Sequence, residues 1–386
     1  MPKKRLLSGI RPTSSLHIGH YLGVLRNWVK LQDEHECFYF IADWHTLTTK
    51  YKETNDLQKN IIEVGKDIIS SGINPNKSTL YVQSAVPEVA ELRLLLSMIT
   101  YQNWVERDPT LKDMIEVLTY QSSGTSNPKE QIYEKALDLN SLKKKIEQSR
   151  NKTIDILKYT SKEVDSGKVT NYEIILSKHK KFQEQIKEEL DEFDKEINKI
   201  IFIKEQYENT ERKIKEEVTY GLLGYPVLMT ADILSVLGEF VPVGKDQVAH
   251  LEFTRDVARR FNHLYKTELF PEPRALLNET PSIPGIDGRK MSKSLNNDIK
   301  LEDSEAETLQ KVKQMITDPN KARKNDPGNP ENCQVAYKHY EIFADKAILE
   351  TVRKECTTGT IGCVDCKKRL GDIINHSLSH LREKRL

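Results

Sequence analysis

The run CFYFIA at residues 37–42 is continuously apolar and has the length of one β-strand. A strand without polar alternation is typical of a parallel sheet that is covered on both faces. Similar short runs occupy residues 5–10 and 79–83. A helical pattern at about 55–71 separates the run at 37–42 from the run at 79–83. Strands that alternate with helices predict an α/β fold, here a doubly wound, Rossmann-like parallel sheet that binds ligands at the carboxyl ends of its strands.

A long helical stretch interrupts this alternation. No proline occurs between Lys129 and Tyr225, and Gly167 is the only glycine before Gly221. Apolar residues recur every three or four positions from 182 to 200, which predicts an antiparallel coiled-coil hairpin. The hairpin is either a solvated spacer or an arm that contacts a nucleic acid, a second subunit or another protein. We therefore expect a Rossmann-like domain in two parts, at residues 1–120 and 218–300. The hairpin lies between them at 121–217, and an all-helical C-terminal domain follows at 301–386.

Composition limits the classes of protein that the chain can represent. Its 386 residues are enough for two or three domains. Lys and Arg number 59 against 58 Asp and Glu, so the net charge of +1 neither indicates nor excludes a nucleic-acid partner. No apolar run reaches the ~18 residues of a membrane span. Four of the five cysteines lie in the last 54 residues instead of spreading through the chain as a disulfide framework does, which favours a cytoplasmic location.

The first candidate site is HIGH at residues 17–20, at the predicted start of a helix. A helix N-terminus presents unpaired N–H groups and a partial positive charge, which favour phosphate. Imidazoles can add further donors, and Gly19 lets a nucleotide approach the backbone closely. Thr13, Ser14 and Ser15 are the candidate caps of this helix. Two surface histidines at a helix start are the alternative interpretation.

The second candidate site is DGRKMSKS at residues 287–294, a basic stretch with Gly285 and Gly288 beside it. Lysines on a flexible loop can contact a triphosphate and stabilise the negative charge that develops as pyrophosphate departs. An exposed basic loop without function is the alternative. Together the two motifs predict one ATP site, with His17, His20, Lys290 and Lys293 as its catalytic residues.

HIGH followed far downstream by KMSKS resembles the class I aminoacyl-tRNA synthetases. GYPVLMTADIL at 224–234 is similar to the amino-acid pocket helix of that family, and VPVGKDQ at 241–247 is similar to its nucleotide loop. ADWH at 42–45 and DPGN at 326–329 also fit. The resemblance is strongest to the bacterial tryptophanyl-tRNA synthetases and covers about 1–119 and 218–370.

The resemblance implies a reaction and its partners. L-Tryptophan would be activated with ATP to tryptophanyl-adenylate and then transferred to the 3′-terminal adenosine of tRNA(Trp). Mg²⁺ would bind mainly through the ATP phosphates, and the enzyme would be a homodimer. The C-terminal domain would lie on the anticodon side of the tRNA. No covalent enzyme intermediate is needed, so no nucleophilic serine or cysteine is expected.

The family's roles transfer to individual positions of this sequence. Asp232 would accept the indole N–H, and a substrate that lacks this donor would leave the carboxylate unpaired at a cost of ~1–3 kcal/mol or more. Without the resemblance, Asp232 is more simply a helix-capping carboxylate. The expected tryptophan-binding residues are Leu7, His45, Tyr225, Met229, Asp232 and Gln247. The expected ATP-binding residues are Arg11, Pro12, Thr13, Gly19, His20, Gly244, Lys245, Asp246, Ile283, Lys290, Met291, Ser292, Lys293 and Ser294.

The C-terminal cysteines form a second candidate centre. Cys333, Cys356, Cys363 and Cys366 have the spacing C-x22-C-x6-C-x2-C. Four thiolates can hold Zn²⁺ or a [4Fe–4S] cluster. The spacing resembles that of the bacterial tryptophanyl-tRNA synthetases that carry a [4Fe–4S] cluster, which implies a structural or tRNA-docking role. Zinc and free thiols are the alternatives.

Three rival functions remain open. A tyrosyl-tRNA synthetase would share the fold and the chemistry, although Met229 and Asp232 favour tryptophan. A non-catalytic, synthetase-like binding protein is expected to have lost its histidine or lysine motif, and both are intact here. Small nucleotidyltransferases with a similar histidine motif lack the lysine loop. Two departures from the family are the hairpin and the chain's end 20 residues after Cys366, where relatives continue with further helices.

Overall fold

The computed structural model describes residues 2–107, 172–244, 248–277 and 283–385, together with 143–144, 147–148, 151, 154–155 and 158. The chain divides into two compact units. The first comprises Met1–Pro109 and Tyr220–Leu386, and the second comprises Thr110–Thr219.

A parallel sheet forms the centre of the first unit. Among the described residues it has five strands, in the order β3-β2-β1-β4-β5. They are β1 (Arg5–Ile10), β2 (Glu36–Ile41), β3 (Ser78–Val82), β4 (Phe240–Val243) and β5 (Arg274–Leu277). The apolar run forms β2, whose residues alternate between two cores: Tyr39 and Ile41 pack in one, Phe40 in the other. The predicted Rossmann-like parallel sheet is therefore confirmed, because β2 is covered on both faces.

Helices cover both faces of this sheet. In the N-terminal part they are α1 (Ile18–His20), α2 (Arg26–Glu34), α3 (Asp43–Lys50), α4 (Leu57–Ser70), α5 (Glu88–Ser97) and α6 (Gln102–Arg107). A π-helical turn at Tyr21–Leu25 joins α1 to α2. The expectation that Thr13, Ser14 or Ser15 caps this helix is wrong, because His17 is the N-cap and has an extended backbone.

The second unit contains one long described helix, α7 (Tyr172–Glu217), which is the predicted second arm of the hairpin. Leu190 and Phe202 are exposed on it. Most of the first arm and its connection to α7 lie outside the described residues, so the hairpin as a whole stays a prediction.

After α7 the chain returns to the sheet through α8 (Tyr220–Leu223) and α9 (Tyr225–Ser235), and α10 (Val248–Tyr265) follows β4. The C-terminal region is helical, as expected, with α11 (Glu305–Gln314), α12 (Ala336–Phe343), α13 (Lys346–Thr357) and α14 (Cys363–Arg385). Its core is continuous with one face of the sheet, since Leu370, Ile374 and Leu378 of α14 share a cluster with Leu6 and Trp28. No helix in the described part of the chain combines the length and apolarity that a membrane span requires.

Candidate active site

A cavity of about 510 Å³ opens at the carboxyl ends of β1 and β4. This is the edge of a parallel sheet at which ligands bind in doubly wound folds. Residues of both strands and of one face of α9 line the cavity. The lining includes Leu7, Gly9, Arg11, Ala42, His45, Tyr225, Met229, Asp232, Gly244 and His250.

The histidine turn (residues 17–20) is compact and largely buried. The ring centroids of His17 and His20 lie 3.8 Å apart, and the His17 backbone N–H donates to Nδ1 of His20 at 3.4 Å. Burial and, second, the charge of Lys293 lower the pKa of His17 to about 4. Burial and the neighbouring His17 and Lys293 lower the pKa of His20 to about 2. Both imidazoles are therefore neutral at pH 7 and can donate to an anion without a fixed charge.

Gly19 is required by the packing of this turn. A Cβ atom at this position would lie 2.8 Å from Cε1 and Nδ1 of the His17 ring. The next neighbour is Sδ of Met291, at 3.8 Å. Any side chain here would displace the His17 ring, so the glycine keeps this imidazole in place.

The lysine loop (residues 287–294) is joined to the histidine turn. The backbone N–H of Ile18 donates to the Ile299 carbonyl at 2.9 Å, and the Leu301 N–H donates to the Leu16 carbonyl at 2.8 Å. Lys293 Nζ donates to the Ser14 carbonyl at 2.6 Å although 279 residues separate them in the chain. A second contact, to Thr13 Oγ1, measures 3.5 Å. The two basic motifs thus meet each other in the folded chain.

Asn297 holds the lysine loop in this conformation, and sequence inspection did not single it out. Its buried side chain accepts from the Ser292 N–H at 2.8 Å and donates to Asp287 at 2.7 Å and to the Lys290 carbonyl at 3.2 Å. Gly285 allows this approach, since a Cβ there would lie 2.3 Å from Asn297 Nδ2.

Lys293 is the most electrostatically perturbed cation of the loop. Burial lowers its pKa to about 8, even though Asp298 and Asp67 act in the opposite direction. A partly buried ammonium is stabilised further when an anion approaches it. The geometry therefore favours a phosphate next to Lys293.

Asp232 is the buried carboxylate of the cavity, with 1% of its surface exposed. Its Oδ2 lies 2.8 Å from His45 Nε2, and Gln83 Nε2 donates to both carboxylate oxygens at 2.8 and 3.0 Å. Burial raises the pKa of Asp232, and the hydrogen bonds from His45 and Gln83 oppose this increase. Gln83 is fully buried and also accepts from the Trp44 N–H at 3.1 Å, so the carboxylate cannot turn away from the cavity.

Sequence reasoning missed Gln83 and also Tyr81. The buried hydroxyl of Tyr81 has no hydrogen-bond partner, and its ring stacks on Phe40 with 5.7 Å between centroids. The only sequence signal for these two residues is their location at the carboxyl end of β3, where ligand-binding residues of parallel sheets usually lie.

The other predicted site residues have varied positions. Arg11 donates to Thr49 Oγ1 at 2.7 Å, and its pKa is lowered by burial. Tyr225 packs edge-on against His45 with 4.7 Å between the ring centroids. Pro12, Ile283 and Met291 are buried, Lys290 is exposed, and Lys293 and Ser294 belong to a short 3₁₀ helix at Lys293–Leu295. Lys245, Asp246 and Gln247 lie outside the described residues.

The four C-terminal cysteines are free thiols near one another. Burial, together with the neighbouring thiols of Cys333, Cys356 and Cys363, raises the pKa of Cys366 to about 11. Burial also raises the pKa values of Cys333 and Cys356. No three histidine, cysteine, aspartate or glutamate side chains in the described ranges are placed so as to hold a single metal ion.

Comparisons with known proteins agree with this geometry. A family described as class I tRNA synthetases (W and Y) matches residues 2–126 and 131–379. The tryptophan–tRNA ligase of Aquifex aeolicus is 44% identical over 99% of this chain and 90% of its own length. The corresponding ligase of Thermotoga maritima is 39% identical over 95% of this chain and 83% of its own. The crystal structure of tryptophanyl-tRNA synthetase from Campylobacter jejuni, complexed with ADP and tryptophan, superposes with a TM-score of 0.68 at 27% identity, over 99% and 88% of the two chains.

These findings define the class of protein: it is an α/β enzyme in which the histidine turn and the lysine loop lie side by side. The chain belongs to the class I tRNA synthetases of the tryptophan and tyrosine group.

Proposed function

We propose that this enzyme is a tryptophan–tRNA ligase, which activates L-tryptophan with ATP and transfers it to the 3′-terminal adenosine of tRNA(Trp). The observation that carries the proposal is the buried Asp232 carboxylate, fixed by Gln83 and His45 in the cavity at the carboxyl ends of β1 and β4. The identity of up to 44% with ligases for tryptophan supports the same substrate.

The ATP phosphates would lie between the histidine turn and the lysine loop. Neutral His17 and His20 would donate to phosphate oxygens, and Lys290 and Lys293 would stabilise the departing pyrophosphate. Both motifs supply nitrogen donors, so Mg²⁺ would be held mainly by the phosphates themselves. The remaining proposed ATP contacts are Arg11, Pro12, Thr13, Gly19, Gly244, Lys245, Asp246, Ile283, Met291, Ser292 and Ser294.

Tryptophan would occupy the cavity with its indole N–H directed at Asp232. The carboxylate is already oriented by Gln83 and His45, and an indole nitrogen can only donate, so the pair is complementary. The substrate carboxylate then attacks the α-phosphate, which forms tryptophanyl-adenylate and releases pyrophosphate. The other proposed tryptophan contacts are Leu7, His45, Tyr225, Met229 and Gln247.

Amino-acid-dependent ATP–pyrophosphate exchange tests this function directly. Exchange should depend on tryptophan and proceed far more slowly with tyrosine at equal concentration. Faster exchange with tyrosine would assign the enzyme to the other branch of its family. Exchange with neither amino acid, by a protein that still binds ATP, would favour a synthetase-like binding protein.

We further propose that Cys333, Cys356, Cys363 and Cys366 hold a [4Fe–4S] cluster, with zinc as the alternative. The donor set fits, because each iron of such a cluster takes one thiolate and the thiols can stand farther apart than around one zinc ion. Gly328 lets the backbone pass close to one of these thiols, since a Cβ there would lie 2.8 Å from the Cys356 sulfur. When bound, the cluster would link α13, α14 and the segment that contains Cys333, which is a structural role.

Anaerobic purification followed by iron, sulfide and zinc analysis tests the cluster. We expect four irons and four sulfides per chain with a broad visible absorption band, as a [4Fe–4S] cluster requires. Cys363→Ser should lose this band and lower the melting temperature, whereas Cys37→Ser, in β2, should keep the band. A colourless protein with one zinc per chain would replace the cluster by the zinc alternative.

The enzyme would act as a homodimer through the exposed apolar face at the end of α5. Leu94, Leu95 and Met98 are exposed by 60%, 58% and 70%. Identical faces related by a two-fold axis bury each other's apolar side chains, so a second copy is the partner we propose.

The partner of the helical hairpin and the cytoplasmic location stay predictions from the sequence.

A further inference from the structure

The last residue of α14 reaches back to the helix that supports the histidine turn. Arg385 Nε donates to Asp67 Oδ1 of α4 at 2.6 Å. Its Nη2 contacts Glu63 on the same helix and lies 3.4 Å from Glu302, which follows the lysine loop. The Arg385 side chain is 14% exposed and Asp67 is fully buried, so solvent screens this ion pair weakly.

Asp67 uses its other oxygen to hold the chain at the entrance to the histidine turn. Its Oδ2 accepts from the Leu16 backbone N–H at 2.8 Å, immediately before His17. The Leu16 carbonyl in turn accepts from Leu301, and Ile18 donates to Ile299. One carboxylate therefore connects the C-terminal helix, the histidine turn and the strand-like segment after the lysine loop.

We propose that Arg385 is a positioning residue for the ATP site, and that it acts by keeping Asp67 ionised and aligned with the Leu16 N–H. The inference deepens the proposed function and rests on it. A charged acceptor holds an N–H more strongly than a neutral one, so an ionised Asp67 fixes Leu16 and hence the two imidazoles. Arg385 touches neither substrate nor ATP in this arrangement, and its effect passes entirely through Asp67.

The charges around Asp67 define how it should respond to pH. Burial raises the pKa of Asp67, while the Leu16 N–H and Arg385 oppose this increase. Arg385 is the cation supplied by α14, Glu63 shares α4, and Glu302 follows the lysine loop with Lys300 3.6 Å away. Lys293 also interacts with Asp67 across the site. Without Arg385, two carboxylates and burial would all favour the protonated acid.

The test is the pH dependence of ATP affinity, measured by titration calorimetry on the full chain from about pH 6 to about pH 8. Removing an adjacent arginine raises a carboxyl pKa by about 1–3 units, so R385M should bind ATP at least about tenfold more weakly near pH 6 and recover most of its affinity near pH 8. R385K should restore most of the acidic-side affinity. D67N cannot ionise at this position, so its ATP affinity should be low at every pH and should not fall further towards pH 6. The double variant R385M/D67N should bind ATP no more weakly than D67N.

The matched control is R382M, one turn earlier on α14. Arg382 donates to Asn375 at 2.9 Å and to Thr308 at 2.8 Å, both within the helical region. Its loss should lower the melting temperature but leave the ATP affinity curve superimposed on that of the unmodified enzyme. A curve for R385M that matches R382M, or that is displaced equally at every pH, would overturn the inference. If R385M does not fold, R385K and D67N decide the question. Tryptophan-dependent exchange by the unmodified enzyme is a separate measurement, so its failure would reject the function without touching this result.

Discussion

At the scale of single residues, Asp232 has the most constrained surroundings in the cavity. Its two oxygens are approached by Gln83 and His45, and the carboxylate is almost fully buried. Lys293 is the corresponding cation at the proposed phosphate position, and it donates to the Ser14 carbonyl. The sequence motif identified both residues, whereas Gln83 has no local signal because it lies 149 positions from Asp232 in the chain.

Asp232→Ala should weaken tryptophan activation and leave ATP affinity unchanged. Loss of a buried acceptor for the indole N–H costs ~1–3 kcal/mol, which corresponds to a fall in kcat/KM for tryptophan of roughly 5- to 150-fold. Pyrophosphate exchange measures this value. Ser235→Ala on the same helix, which removes only a hydrogen bond to the Asp232 carbonyl, serves as the control. Unchanged tryptophan kinetics in Asp232→Ala would contradict the assigned pocket.

ATP affinity should fall on the alkaline side because of Lys293. In the free enzyme its pKa is about 8, so the ammonium loses its proton as the pH rises through this value. A bound triphosphate favours the charged form and raises the pKa, so ATP binding takes up a proton above pH 8. Affinity is therefore fully present below about pH 8 and decreases by up to about tenfold per pH unit above it.

Lys293→Arg provides the comparison for this pH effect. A guanidinium keeps its charge throughout the range, so the alkaline decrease should disappear even if the absolute affinity changes. Binding measured by calorimetry at several pH values gives both curves. An identical alkaline decrease in Lys293→Arg would assign the titration to another group.

At the scale of secondary structure, the proposed ATP site depends on a short helix and on a loop whose conformation is fixed by a residue outside it. The helix begins at Ile18, immediately after His17, and continues through a π-helical turn. The loop takes its conformation from Asn297, whose side chain bridges Asp287 and Ser292. The apolar spacing predicted a helix here, but it did not predict the N-cap residue. The N-cap depends on the path of the chain between β1 and the helix.

Gly19→Ala should impair ATP use without unfolding the protein. The added Cβ would approach the His17 ring to 2.8 Å, so this imidazole must move from the phosphate side. A displacement of this kind costs about 10- to 100-fold in kcat/KM for ATP. Gly65→Ala in α4 is the matched control, because its Cβ meets only Ile41 at 3.7 Å. That variant should be as active as the unmodified enzyme and more stable by about 0.5–1 kcal/mol. Equal activity of the two variants would exclude the steric role of Gly19.

At the scale of the whole molecule, the sheet and the C-terminal helices share one hydrophobic core, and the exposed apolar end of α5 is the surface at which we propose that a second copy binds. Met98→Asp should convert the proposed dimer into a monomer, since a charge at the centre of an apolar interface is desolvated without a partner. Sedimentation velocity at micromolar concentration measures the change. Met315→Leu, in the buried core, should stay dimeric. A monomeric unmodified enzyme would reject the dimer, and a dimeric Met98→Asp would place the interface elsewhere.

The sequence by itself determined the sheet class and the two nucleotide motifs. The apolar run CFYFIA and the motifs HIGH and KMSKS each consist of residues that are adjacent in the chain. They can therefore be recognised in the sequence without knowledge of the fold. It did not reveal β5, since the four residues Arg274–Leu277 are too short and too exposed to give a period.

Only the tertiary structure decided which side chains complete the site. Gln83 beside Asp232, Asn297 under the lysine loop and Arg385 on Asp67 are contacts between distant parts of the chain, up to 318 positions apart for Arg385. Such contacts depend on how helices and strands pack in three dimensions, and no pattern of neighbouring residues encodes them.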